Sequence, residues 1–351
     1  MGRRQAHWAL WLLPLFLPAA SRKAAVPVPL AWPRSGSPYR VELVDTMVGA
    51  EDFAIRRGMF SRLGEALLGP SGKPRRLLQP FSVAADAQGR ILVSDSAAAV
   101  VHLFDSARNR HQVLQGPERQ RLRSPIGMDT DATGNVYVSD SALGKIFVFD
   151  RQGRFQRFLG DLRGEGFFKR PTGLAVHPES GHLYVTDTLR HKIYRLDTRG
   201  VIESEWGRRG SAGGEFNYPT AVACAGDRVF VLDAMNFRVQ VFTPEGKFIS
   251  AFGDLRNAPG GFFRPKGLAV DAQRRLVFVV DALFEVVQVF SYEGRLLLAF
   301  GHGGTGPGEF RLPAGICLRP DGRILVADSY NRRIQVFHVV EILRADRSSQ
   351  R

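Results

Sequence analysis

A unit of 45 to 48 residues recurs six times along the chain, and this period constrains the fold more than any bulk property does. A proline opens each copy, at Pro80, Pro125, Pro171, Pro219, Pro265 and Pro313. An aspartate closes the second apolar run of each, at Asp95, Asp140, Asp187, Asp233, Asp281 and Asp328. HLYVTDTLRHKIYRL (182–196) and RILVADSYNRRIQVF (323–337) display the unit most plainly, as two short strand-like runs about a polar turn. A full copy holds four such runs, in the third copy TGLAV, HLYVTD, KIYRLD and VIESEW, separated by Gly-bearing turns such as ESGH and TRGV. Four-stranded antiparallel sheets at this period predict an all-β, six-bladed β-propeller.

The first run of each copy carries small residues two and four positions after its proline: Ser82 and Ala84, Gly127 and Asp129, Gly173 and Ala175, Ala221 and Ala223, Gly267 and Ala269, Gly315 and Cys317. Blades crowd together at the axis, so small residues there mark the innermost strand. The sixth copy lacks a fourth run, whereas YRVELVDTMVG (39–49), upstream of the first copy, resembles the fourth runs that end in Gly116, Gly160, Gly207, Gly253 and Gly301. Residues 39–49 are therefore expected to complete the last blade and remove an exposed edge. The propeller then spans 39–340, followed by a charged tail over 341–351. Residues 50–79 interrupt the repeat, and Phe53, Phe60, Leu63 and Leu67 at near-helical spacing, with arginines between, predict a short helix over one end of the ring. Resting on an anionic membrane through residues 53–68 is the alternative for that helix.

Arg3 and Arg4 precede an uncharged run from Trp8 to Ala20 that ends in small residues. This order predicts a signal peptide over 1–25, or an uncleaved anchor, the run being shorter than the roughly 20 apolar residues that span a bilayer. Residues 26–38 are expected to be a linker, and the protein to be exported, periplasmic or extracellular, and monomeric. Cys224 and Cys317 fall in the same strand type of non-adjacent copies, which argues against a disulfide and for small buried residues.

RPTGLAVHPESGHLYVTDTLRHKIYRLDTRG and RLPAGICLRPDGRILVADSYNRRIQVF resemble NHL repeats, with the Asn-His-Leu signature altered to Asn331-Arg332-Arg333, Asn236-Phe237-Arg238 and Leu189-Arg190-His191. The resemblance extends over residues 39 to about 340 and implies the propeller fold, in the manner of exported bacterial NHL proteins. It leaves function open, because such propellers serve as RNA binders, sensors, scaffolds and lyases.

The formal charge of +14 favours anionic partners. Loops joining a fourth strand to the next first strand fall on one face of the ring, where Lys and Arg outnumber acids about two to one, against near parity in the opposite turns. Arg163, Lys169, Arg170, Arg208, Arg209, Arg256, Arg264, Lys266 and Arg311 are the candidate partner-binding residues, able to clamp carboxylate or phosphate groups. Phe168, Phe216, Phe262 and Phe310, three residues before their prolines, are expected as packing pegs, a slot that Leu77 and Leu122 fill elsewhere. The closing aspartates are expected to accept backbone N–H bonds and set turns. Asp129, at an axial position, is the channel candidate. No first strand carries a histidine, and His102, His177, His182, His191 and His302 do not converge in the sequence pattern, so no metal site, cofactor or catalytic residue is assigned. The expected function is a non-catalytic binding or scaffold propeller for a protein, peptide or polyanion. A channel-centred metal-dependent lyase or lactonase is one alternative, and an RNA-binding propeller, disfavoured by the export signal, is the other.

Overall fold

The structure, a computed structural model, describes residues 30–33, 37–54, 76–162 and 165–341. Six antiparallel sheets stand around a common axis, and the innermost strand of each touches that of the next until the sixth meets the first. These innermost strands are Pro80–Ala85, Pro125–Thr130, Pro171–Val176, Pro219–Ala225, Pro265–Asp271 and Ile316–Leu318, which number blades 1 to 6. Proline suits the first residue of such a strand, where no ladder N–H is required. The second strands, among them ILVSD and LVFVVD, are buried on both faces between neighbouring blades and so read as unbroken apolar runs rather than alternating ones. The outermost strand faces water, as in Phe248–Phe252.

The ring closes as expected. Tyr39–Met47 pairs antiparallel with Arg333–Glu341, from Tyr39 opposite Glu341 to Met47 opposite Ile334, and buries Val41 and Leu43 in the core of blades 5 and 6. One expectation is corrected: the stretch assigned to a linker contributes a fifth strand, Ala31–Trp32, to this blade. It does so because Trp32 finds an apolar seat against Phe300 and Phe337, at ring-centroid distances of 6.3 and 6.2 Å. Of the interrupting segment, Phe53 stacks on Phe104 at 3.8 Å; the expected helix itself, with Phe60, Leu63 and Leu67, lies outside the described residues, as do the N-terminal apolar run and most of the charged tail.

The small axial residues have a direct steric cause. A Cβ on Gly127 would stand 2.0 Å from the Thr172 carbonyl oxygen of the next blade, and one on Gly267 would stand 2.2 Å from that of Ala314. Serine and threonine hydroxyls then tie blade to blade: Thr188 donates to Pro219 O at 2.7 Å, and Ser329 donates to Pro80 O at 2.6 Å across the closure. The aromatic pegs are buried, Phe216, Phe262 and Phe310 entirely.

Candidate functional site

The loop face is built on the closing aspartates. Each buried carboxylate accepts main-chain N–H bonds from the residues just before the proline of its own blade: Leu78 and Gln79 on Asp95 (2.6 and 3.1 Å), Arg123 and Ser124 on Asp140 (2.6 and 3.0 Å), Lys169 and Arg170 on Asp187 (2.8 and 2.9 Å). Arg264 on Asp281 (3.1 Å) and Arg311 on Asp328 (2.7 Å) follow the same rule. The carboxylates set turns as expected, binding for example Ala142 N and Leu143 N, and in addition fix the backbone that enters the innermost strand.

The altered signature residues complete this scaffold. Asn331 donates to Asp328 and to Gly304 O, both at 2.9 Å, while Arg333 and Gln335 donate to Glu309 O. Asn236, Arg238 and Gln240 hold the loop before blade 4 in the same manner. Charged side chains on these loops therefore project from a rigid main chain.

The structure sorts the predicted cations into two groups. Arg208 pairs with Glu215 at 2.7 Å and Arg256 with Asp254 at 3.0 Å, each within its own loop. Lys169, Arg170, Arg209, Arg264 and Arg311 are exposed and form no ion pair among the described residues. Four of these five stand one or two residues before the proline that opens a blade, where the loop turns in towards the mouth of the axial channel. Arg123 occupies the equivalent slot in blade 2, two residues before its proline, and is a member the sequence assignment missed; the period itself would have found it. Arg163 lies outside the described residues. On the opposite face most arginines are neutralised inside their own turns, as in Arg108–Asp105 (2.9 Å), Arg154–Asp150 (2.8 Å), Arg199–Asp197 (2.8 Å) and Arg274–Asp271 (2.8 Å). Arg110, Lys247 and Arg295 stand exposed there and form no ion pair among the described residues.

Lys266 differs from the other cations. It belongs to the channel wall, with Nζ 5.5 Å from the centroid of the Phe81 ring, and burial, then the charge of Arg264, lowers its pKa. The channel encloses about 250 Å³ and is lined by all six innermost strands. Asp129 stands on blade 2, opposite blade 5 in the ring and three residues deeper than Lys266, which is about 10 Å along the axis at ordinary strand rise. Its carboxylate accepts Val176 N–H from blade 3 at 2.7 Å and Thr130 N–H at 2.8 Å. Burial raises its pKa to about 6 against the opposing pull of those two donors. Cys224 and Cys317, both free, line the same channel, and burial holds their thiols well above the usual range.

The expectation that no histidines converge is corrected at one place. His102 Nδ1 and His111 Nε2 are 3.0 Å apart, and His102 Nε2 is 3.8 Å from Asp95 Oδ2. The third strand of blade 1 puts His102 opposite Val113, so His111 is its diagonal neighbour, within reach of a ring. Among the described residues no group of three or more His, Cys, Asp or Glu is placed to hold a metal ion. The remaining histidines serve locally, His177 against Gly226 O at 2.8 Å and His182 against Ser180 Oγ at 2.7 Å.

Six sheets about one axis, with short strands and a narrow channel, define a six-bladed β-propeller. Residues 310–337 match the NHL repeat family, and residues 214–287 match a family described as a 6-bladed beta-propeller, so this chain is a six-bladed propeller in which one stretch, 310–337, matches an NHL repeat. Curated relatives include protein brain tumor of Drosophila melanogaster, 28% identical over 116 residues, 32% of this chain and 11% of that protein. E3 ubiquitin-protein ligase NHLRC1 of Homo sapiens is 31% identical over 116 residues, covering 32% of this chain and 28% of the ligase. Peptidyl-glycine alpha-amidating monooxygenase of Mus musculus is 32% identical over 119 residues, 30% of this chain and 12% of the monooxygenase. The chain thus spans less than a third of each relative. Among solved structures, virginiamycin B lyase from Staphylococcus aureus superposes with a TM-score of 0.56 at 15% identity, over 77% of this chain and 83% of the lyase. A gluconolactonase from Xanthomonas campestris gives 0.58 at 15%, over 85% and 98%. At such identities these similarities concern the fold alone.

Proposed function

We propose that this chain is a non-catalytic binding propeller that captures an anionic protein, peptide or polyanion through its loop face. The observation that carries this is the set of exposed cations, unpaired among the described residues, around the channel mouth, each projecting from a main chain that an aspartate has already fixed. Preorganised donors lose little freedom on binding, and Arg presents a planar fork to carboxylate or phosphate. Arg208 and Arg256, engaged by acids of their own loops, are assigned a minor part. Similarity to NHL proteins of the ligase and brain tumor kind is compatible with a binding role.

The test uses heparin as a polyanion probe and two variants of equal charge change. Lys169→Glu/Arg264→Glu/Arg311→Glu is expected to elute from immobilised heparin at much lower salt than the parent, since lost phosphate-like contacts flatten the salt dependence. Arg110→Glu/Lys247→Glu/Arg295→Glu, on the opposite face, is expected to elute near the parent. Equal loss in both would mean that net charge, not the loop face, governs retention, and would refute the assignment.

One observation favours a second reading, a channel-centred lyase or lactonase: a carboxyl group on the wall of the axial channel, its pKa raised by burial to about 6, could serve as a general base. A small-molecule turnover abolished by Asp129→Asn and untouched by the loop-face reversal would replace the binding role with this one.

A further inference from the structure

The tip of the turn between second and third strands occupies one slot in every blade, two residues beyond the aspartate: Ala97, Ala142, Leu189, Met235, Leu283 and Tyr330. Folding asks little of this side chain. Alanine fills the slot, exposed, in blades 1 and 2, and the turn is held by the carboxylate and main chain instead. Yet blades 4 to 6 place Met235, Leu283 and Tyr330 there, with 52%, 49% and 59% of their surface in solvent. Leu255 and Phe263, 57% and 48% exposed, stand in the loop between blades 4 and 5 on the same face. Exposed large apolar side chains gathered on one sector mark an interaction surface.

The shape of the sector narrows its occupant. Repetition places equivalent turns at the same height along the ring axis, so the three tips share a plane. Among the described residues, the axial channel and the three concavities around Arg121, Arg110 and His182 are lined by none of the five side chains. An extended or helical protein segment docks its apolar residues into a groove; separate coplanar tips that line none of these concavities suit a planar, deformable medium. Cations alternate with the tips: Arg264 follows Phe263, and Arg332, exposed and unpaired among the described residues, stands two residues beyond Tyr330. Tyrosine beside arginine and leucine is the composition of a membrane–water boundary.

We infer that the partner of this face is an anionic phospholipid bilayer, with the apolar tips of blades 4 to 6 seated at the boundary of headgroups and acyl chains and the unpaired cations on lipid phosphates. This rests on the anion-binding role proposed above and names its partner. Attraction to an anionic surface strengthens partition by about fivefold per Lys or Arg, and apolar tips add a part that salt does not screen.

The full chain is sedimented with vesicles of phosphatidylcholine alone and of phosphatidylcholine mixed with phosphatidylserine, and the serine-lipid-dependent increment is read, so that the N-terminal apolar run contributes alike to both. The parent is expected to gain partition with phosphatidylserine. Met235→Ala/Leu283→Ala/Tyr330→Ala, which copies blades 1 and 2, is expected to lose about tenfold or more of that increment through lost apolar contact while keeping its heparin retention. Should that variant melt lower than the parent, Leu255→Ala/Phe263→Ala replaces it with the same expectation. A tip variant that partitions like the parent overturns the inference. A parent held by heparin yet indifferent to vesicles also overturns it, leaving a soluble polyanion or acidic protein as the occupant and the binding role intact. Indifference to both probes refutes the binding role as well.

Discussion

Gly127→Ala isolates the contact on which the ring depends. The glycine has an ordinary backbone conformation, so the added methyl acts only through its neighbours. It would meet Thr172 O at 2.0 Å, where ordinary contact begins near 3.4 Å, so blades 2 and 3 must part locally by about 1.4 Å. Across that seam Tyr137, Ile146 and Val148 pack against Leu174, Val185 and Tyr194. A gap of even 0.5–1 Å forfeits about a quarter to a half of each dispersion contact, and each such side chain contributes roughly 1.5–3 kcal/mol by burial. Two bonds that cross the seam, Ser139 Oγ–Thr172 O at 2.6 Å and Val176 N–Asp129 Oδ2 at 2.7 Å, would stretch as well. The expected loss is about 4 kcal/mol, which for a domain of this size lowers Tm by about 8 °C. Gly89→Ala is the contrast: nothing lies within 4 Å of its Cβ, and only its φ of +79° opposes the change. That substitution should cost about 1–2 kcal/mol. Calorimetry and urea unfolding decide between the two. A loss below about 1 kcal/mol for Gly127→Ala would mean that the seam relaxes freely and that axial crowding does not select the small residues.

The closing strand offers a test by alternation: Val41→Asp puts a charge in a fully buried site opposite Val339, while Val44→Asp sits on a residue 43% exposed. The first should cost about 3 kcal/mol or more and the second under about 0.5 kcal/mol in urea titration, and similar costs would deny that residues 39–47 close the ring. Asp129 makes a statement about pH. Its folded pKa, about 6, exceeds its ordinary value of 3.8, so the native state holds the proton more tightly and stability falls as pH rises from about 4 to 6. The ceiling is about 3 kcal/mol, which water in the channel should reduce to about 1–2. Asp328 shifts the same way and several other carboxyls, such as Asp95 and Asp131, the opposite way, so the readout is the difference between the parent and Asp129→Asn; a difference that stays flat over this window would show that the carboxyl is better solvated than its position implies.

The period, the proline and aspartate slots and the missing fourth run made the architecture legible, because each follows from one repeated steric demand: six strands meeting at an axis. Closure by residues 39–47 was legible for the same reason, an unpaired edge needing a partner. The short strand Ala31–Trp32 was not, since two residues carry no periodicity and Trp32 is drawn in by Phe300 and Phe337 from elsewhere in the chain. The neutralisation of Arg208 by Glu215 lay hidden in loop geometry, seven residues apart with no regular element between. The meeting of His102 with His111 could be seen only once the strand register was known, because a slip of one residue sends the two rings to opposite sides of the sheet.

The same scaffold limits how the cations can act. Beneath them lies a ring of six buried aspartates, each with its carboxylate turned toward main-chain N–H groups of the loop above. Seen from a distance, this negative ring offsets much of the positive charge at the mouth, so long-range steering is weaker than the formal charge suggests. Close to the surface the balance changes: the carboxylates are sealed by their donors, while the side chains of Lys169, Arg264 and Arg311 reach outward. Binding through this face should accordingly be short-ranged and contact-dependent, favouring a partner that brings its anionic groups up against the turns over one that is merely highly charged.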